Sequence, residues 1–502
     1  MKNLTDIRFK LLLLMFPVLF ISCCSRKSHN WPQFRGPESN MLPVSRNLPE
    51  EWGNDKNVKW IYDLDGTGLS SPVIWGDKIY IASAFPEKVN PAPERGPVQG
   101  PPPQGGQGPQ PGQMPQQGQG PQPGQMPQQG QGPQPDRMPQ PAQGPQPGQP
   151  LPGSPRSEMI DTSYMQEIYR WELICIDLNA GQEQWRQVAY HGAPGIAKQQ
   201  ANTYASETPV TDGKRICVYF GMAGLFCYDM DGKLIWQKDL GAYKTQNGWG
   251  TGSSPVLYKD VVYIQVDNEV NSFIVALDAD TGNEIWRMSR DEKTTYSTPY
   301  IWKNKVRTEL VTMGKSARSY DTETGKLLWE LKIGGEQTIA SPVGDDEHIY
   351  IGNGGQKIKA SLFAVKAGAE GDITPKEGDM TGAGVKWIVP DAGNGNASPL
   401  LYKGYIYLPG SRGDITCYNA SDGKLVYRER PAGIGGLWAS PWGYNDKVWL
   451  TDERGVTRIL KAGDKYELLS ENRLDDKFWT SVAASGDAYI FRGAARLYCI
   501  KE

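Results

Sequence analysis

The chain has 502 residues, with 53 basic and 56 acidic side chains and a net charge of −3. No basic stripe runs along it, which excludes nucleic acid as a partner held by charge. The length allows several domains or one large repeat fold, and 16 Trp and 24 Tyr favour strands over disorder.

Lys2, Arg8 and Lys10 precede an apolar run, LLLLMFPVLF, from Leu11 to Phe20. About ten apolar residues are too few to span a bilayer as a helix and suit the apolar centre of a signal peptide. Phe20-Ile21-Ser22-Cys23 resembles the bacterial lipoprotein cleavage box. The resemblance implies a signal peptide over 1–22 and lipidation of Cys23, with 23–57 a tether and lead-in. No other apolar run is long enough to cross a bilayer, so the membrane is reached through the anchor alone. Cys24, Ser25, Arg26 and Lys27 carry no acidic surface-export tag. The expectation is an exported protein, lipid-anchored in the cell envelope at the outer membrane and facing the periplasm.

From residue 58 onward the chain repeats. Ser70-Ser71-Pro72-Val73 opens a unit, WGDKIYIAS, and similar units begin at Thr208, Ser253, Ser297, Ser341, Ser398, Ser440 and Ser481, eight in all. The marker prolines are Pro72, Pro209, Pro255, Pro299, Pro342, Pro399 and Pro441, with Val482 at the eighth place. A second half-unit alternates with the first: LICIDLNAGQEQW, LFCYDMDGKLIW, IVALDADTGNEIW, RSYDTETGKLLW and ITCYNASDGKLVY. Each is a period-two run, an Asp- or Asn-initiated turn with Gly, and a further strand, which signals a hairpin. The aromatic always follows the turn glycine (Gly181, Gly232, Gly282, Gly325, Gly423) by four residues, on one chosen face of the outer strand. Four short strands in about 45 residues make one propeller blade. Proline suits the start of the inner strand, an edge that lines the channel.

One insertion interrupts the repeat. Residues 86–160 are rich in Pro, Gln and Gly, and GPQPGQMPQQGQ from Gly108 returns at Gly120 and, altered, at Gly132. Such a composition buries too little apolar surface to offset ordering and is expected to be disordered or partly polyproline II. It falls between the second and third strands of the first blade, on the face that carries the connectors between blades, beside one mouth of the channel. A tether to envelope polymer and a loose cover are both compatible with that place.

Val58-Lys59-Trp60 reads as an outermost strand without a blade of its own. Ala495 to Lys501, ARLYCIK, reads as a third strand without a fourth. Joined, they complete the last blade. The fold class is therefore all-β: an eight-bladed β-propeller of four-stranded antiparallel blades over 58–502, its ring closed by the N- and C-terminal strands, which removes exposed strand edges and keeps the ring from opening.

The D-x-x-T-G-x-x-x-W and S-S-P-V units resemble the quinoprotein alcohol dehydrogenase-like propeller superfamily. That superfamily includes pyrroloquinoline-quinone-type repeats and the propeller lipoproteins of outer-membrane β-barrel assembly. Trp31-Pro32-Gln33-Phe34-Arg35-Gly36-Pro37 resembles the start of exported proteins of this repeat type. The fold is what this implies most specifically, because one fold hosts many functions.

Catalytic groups are sparse. His29, His191 and His348 are the three histidines, and none has metal-ligand spacing to another. Quinone-dependent alcohol dehydrogenases, by resemblance, carry adjacent cysteines inside the propeller, a calcium site and a catalytic aspartate. Here the adjacent pair is Cys23-Cys24, outside the propeller, and neither a calcium-ligand set nor a base can be mapped. Asp278-Ala279-Asp280-Thr281-Gly282 has a calcium-loop look, but its recurrence at Asp321 to Gly325 marks a blade turn. Gly248-Trp249-Gly250-Thr251-Gly252 lacks the strand-to-helix setting that a nucleotide loop needs. Cys175, Cys227, Cys417 and Cys499 hold equivalent small-residue places, and Cys217 is expected to face away from Cys227, so no disulfide is expected.

No catalytic residue, metal site or cofactor is expected, with pyrroloquinoline quinone and calcium as the cofactor alternative. A candidate ligand mouth remains: Tyr204, Trp249, Tyr296, Asn396, Trp438 and Trp479 precede the inner strands. Aromatics there either stack on a sugar, quinone or peptide or fill space between blades. The leading expectation is a non-catalytic, envelope-tethered binding or scaffold propeller, with an envelope protein, polymer or small ligand as partner. The alternatives are a quinone-dependent alcohol or sugar dehydrogenase with a divergent site, and a carbohydrate-binding propeller.

Overall fold

A computed structural model describes residues 29–45, 47–87, 167–335, 338–352, 360–393 and 395–502. The chain divides into two units, one of Met1–Lys88 with Thr162–Glu502 and one of Val89–Asp161. The second unit, the signal segment and Cys23 lie outside the described residues.

The first unit is built of eight sheets, each holding one repeat. Blade one comprises Val73–Trp75, Lys78–Glu87, Ile168–Asp177 and Glu183–Gly192. Blades two to seven begin with the inner strands Val210–Thr211, Val256–Tyr258, Tyr300–Lys303, Val343–Gly344, Leu400–Tyr402 and Trp442–Tyr444. In blade eight the order is Val58–Asp63, Arg496–Ile500, Ala488–Arg492, Ala483–Ser485, all antiparallel. Ile61 sits opposite Tyr498 and Trp60 opposite Cys499, so the two chain ends close the ring.

Burial follows strand position. In blade two the second strand, Arg215–Tyr219, is buried throughout, because the middle of a blade is covered on both faces by its neighbours. On the outer strand Leu234–Lys238 only Trp236 is buried. Its indole N–H donates to the Ala279 carbonyl of blade three at 2.9 Å. Trp286 reaches Thr322 of blade four at 3.1 Å in the same way, and Trp387 reaches Ala420 of blade six at 3.2 Å. Each ring covers the turn glycine of the next blade: a Cβ on Gly282 would lie 2.6 Å from Trp236. That glycine has φ +72, so the site needs glycine for conformation and for space. The repeated Gly-to-Trp spacing therefore docks blades two, three and five on the blades that follow them; in blade four Trp329 instead donates to Glu309 of its own blade.

Three details depart from the sequence reading. The second strand of blade one runs through Pro86 to Glu87, which takes two residues from the expected insertion. Blade four gains a fifth strand, Gly371–Asp372, paired in parallel with Leu327–Lys332 and supplied by the loop before the last strand of blade five.

The third departure is a disulfide between Cys217 and Cys227, with Cα atoms 4.1 Å apart. The two cysteines are direct register partners on adjacent antiparallel strands. Alternation reverses side chains along one strand, whereas residues opposite one another across two strands share a face. Cys175, Cys417 and Cys499 are buried thiols, and burial pushes each up to about 12.

Candidate functional site

The residue before each marker proline forms a belt around the bore. Proline holds its predecessor extended and has no N–H of its own. At seven of the eight places the amide of that predecessor points to the next blade and finds a hydroxyl there. Ser71 donates to Thr208 Oγ1 at 2.9 Å, Thr208 to Ser254 Oγ at 2.9 Å, and Ser254 to Thr298 Oγ1 at 3.1 Å. Thr298 donates to Ser341 Oγ and Ser341 to Ser398 Oγ, both at 3.0 Å. Ser440 donates to Ser481 Oγ at 3.1 Å and Ser481 to Ser71 Oγ at 3.2 Å. The Ser/Thr-Pro marker is thus a blade-to-blade clasp, and these hydroxyls are committed to the frame.

One end of the bore is closed by the lead-in. Trp31 pairs with Ile74 of blade one through two 2.8 Å backbone hydrogen bonds, and Pro32 accepts from Thr211 of blade two at 2.8 Å. Three residues later Arg35 donates to Pro342 O of blade five at 2.8 Å and Pro399 O of blade six at 2.7 Å. Blades one and two stand across the ring from blades five and six, so the chain passes over the axis. Met41 O then accepts from Gly443 of blade seven at 3.1 Å. Arg35 is 1 % exposed, and desolvation pushes its guanidinium down to about 10. Among the described residues no carboxylate pairs with it. Arg492 is likewise fully buried, pushed down to about 9, and bound to Ser70 O and Ala82 O of blade one.

The opposite end carries the connectors and the second-to-third-strand loops. Here Trp438 and Trp479, from successive connectors, have ring centroids 5.7 Å apart at an angle of 37°, and Trp438 is 40 % exposed. Trp249, Tyr296 and Asn396 are half-buried at the starts of other blades. Burial pushes the Tyr296 phenol up. Tyr204 is 6 % exposed. Its hydroxyl donates to Ile196 O at 2.8 Å, its carbonyl accepts from the Trp171 indole at 3.0 Å, and its ring meets Tyr169 edge-on. It anchors a connector beneath the long strands of blade one. The structure therefore brings two of the six candidates together as an accessible pair, keeps three at the rim, and uses Tyr204 in packing.

Between blades two and three the same face holds a cleft of about 390 Å³ counted to its open mouth, lined by Tyr219, Tyr243, Thr251 and Gln265 among others. Below it Glu207 is 1 % exposed and hydrogen-bonded to Thr251, and burial raises its carboxyl to about 7. Asp267, on the cleft wall, forms a fully buried ion pair with Arg290 at 2.8 Å. Sequence reading missed Arg35, Glu207 and this ion pair. For Arg35 the one available signal was its place inside the W-P-Q-F-R-G-P lead-in.

The family model described as "Outer membrane protein assembly factor BamB" matches residues 170–299 and 271–433. No protein of curated function matches in sequence. Among solved structures, quinohemoprotein alcohol dehydrogenase from Comamonas testosteroni aligns at TM-score 0.54 and 10% identity, covering 94% of this chain and 80% of that one. A europium-containing methanol dehydrogenase gives TM-score 0.54 and 10% identity, covering 94% and 98%. BamB from Moraxella catarrhalis gives 0.46 and 13%, covering 65% and 91%. At such identities the structures speak for the fold alone. The family matches together span more than half of the 502 residues, and the chain belongs to the BamB family of PQQ-like repeat propellers.

Proposed function

We propose that the protein is a non-catalytic binding or scaffold propeller, tethered to the cell envelope through Cys23, that receives a protein partner on its open mouth. The observation that carries this reading is the Trp438–Trp479 pair on the face opposite the lead-in closure, with Trp438 exposed and Trp479 half-buried. Aromatic residues of this kind dominate the energetics of protein interfaces. Seven of the belt hydroxyls are joined blade to blade. A partner in outer-membrane assembly is what the family description suggests. The test is a pull-down of full-length protein from crosslinked envelopes, wild type against a Trp438→Ala, Trp479→Ala double variant. The reading expects a discrete envelope protein retained by the first and lost by the second; equal recovery contradicts it.

The second reading is a quinone-dependent dehydrogenase, favoured by the alcohol dehydrogenase likeness. Calcium takes six to eight oxygen ligands, carboxylates among them. Among the described residues no group of three or more His, Cys, Asp or Glu side chains is placed to hold a metal ion. Asp267 is held by Arg290, and Glu207 is a buried carboxyl near neutrality. The described residues do not fit the quinone–calcium pair. Dye reduction by protein supplied with quinone, calcium and an alcohol or aldose would restore that reading.

A further inference from the structure

The lead-in begins at the closed face. Gly76, in the first turn of blade one, donates to Asn30 Oδ1 at 2.9 Å, and the Trp31–Ile74 pair follows directly. Glu38 then reaches Lys303 at 3.3 Å, and Glu50 binds Asn445 at 2.6 Å. Both partners lie in or beside first-to-second-strand turns, so the chain from Asn30 to Glu50 stays on one side of the disc; beyond it Asn54 meets Asp475, on the connector that leaves blade seven.

We infer that this closed face lies against the membrane and that the mouth with Trp438 and Trp479 looks away from it. The inference rests on lipidation of Cys23. His29 lies six positions after Cys23, and six fully extended residue steps reach at most about 22 Å. To turn the mouth toward the bilayer, the tether must leave the axis, pass the rim and climb the side. Four strands at about 4.8 Å spacing and a strand height of about 20 Å make that path exceed 30 Å. The tether is too short for it.

The consequence reaches the partner. A ligand of the mouth arrives from the aqueous side, as a soluble protein or a domain held away from the lipid, and not as a lipid or a segment buried in the bilayer. The described ends of blade one that flank the insertion, Glu87 and Ile168, are register partners on the mouth side, facing away from the membrane.

The test uses full-length lipidated protein in vesicles that contain an acceptor-labelled lipid. A donor dye is placed at Asn283→Cys, in a turn of the closed face, or at Asp291→Cys, in a connector on the mouth face. Both are made with Cys24→Ser; the native thiols Cys175, Cys417 and Cys499 are buried. Transfer from position 283 should exceed that from 291 at least about twofold, since a strand height of roughly 20 Å separates the two faces. Equal or reversed transfer overturns the orientation. Cys23→Ser separates the two claims: it should release the protein from vesicles, and if membrane binding persists, lipidation and the orientation built on it both fail.

Discussion

The backbone N–H of Ser481 donates to Oγ of Ser71, 410 positions earlier, at 3.2 Å. This bond joins the last blade to the first inside the bore. The Val58–Asp63 strand joins the same ends at the rim. Closure is thus made twice, at the inner and the outer radius. Ser71→Ala leaves the buried Ser481 amide without its acceptor, at a cost of about 1–3 kcal/mol. Ser71→Thr keeps the oxygen and should recover most of it. Thermal unfolding midpoints of the two variants check this; equal losses would contradict the clasp.

Blade docking separates packing from conformation at glycine. Gly181 has φ +68, and a Cβ there would lie 2.5 Å from Trp60, whose indole donates to Leu178 O at 2.9 Å. Gly404 has φ +79 with nothing within 4 Å. Gly404→Ala should cost about 1 kcal/mol, from positive φ alone. Gly181→Ala should cost about 1–3 kcal/mol more, from overpacking against the indole. Denaturant midpoints for the pair measure the difference, and matching losses would remove the docking role.

The Cys217–Cys227 bridge predicts a thiol pattern. Alkylation of unfolded, unreduced protein should label Cys175, Cys417 and Cys499 and spare Cys217 and Cys227. Breaking the bridge with Cys217→Ser should lower stability by about 2–3 kcal/mol through loop-closure entropy. Peptide mass spectrometry without reductant reads the pairing directly, and full labelling of all five would refute it.

Glu207 makes stability depend on pH. Burial raises its folded-state value to about 7, against an ordinary value of 4.5. The folded state therefore holds its proton more tightly than the unfolded chain does. The contribution is fully present below about pH 4.5 and declines as pH rises to about 7, a loss on the order of 3 kcal/mol. Glu207→Gln has no such proton, so its stability relative to wild type should rise across that window. Unfolding midpoints of both proteins against pH show whether it does; parallel curves would place the titration elsewhere.

The ring was legible because its marks are local. A proline opens each inner strand, and a turn glycine fixes the aromatic four residues on. The two orphan strands at the chain ends also betray closure by their patterns alone. What stayed hidden depends on neighbours a blade away. The hydroxyls before the prolines are plain in the sequence, but their acceptor role needs the adjacent blade. Cys217 and Cys227 needed the strand register. Tyr204 reads as a rim aromatic until Trp171, on the lengthened third strand of blade one, is seen above its carbonyl. Arg35 crosses the ring because of three-dimensional closure that no periodicity encodes.

Hydroxyl-radical footprinting of the protein in native envelopes, compared with the purified chain, tests most directly whether the mouth is the binding face. Trp438 and Trp479 should be protected, with the exposed outer-strand residues Leu234 and Leu425 unchanged. Protection confined to those outer strands, with both tryptophans equally oxidised in the two states, would contradict it.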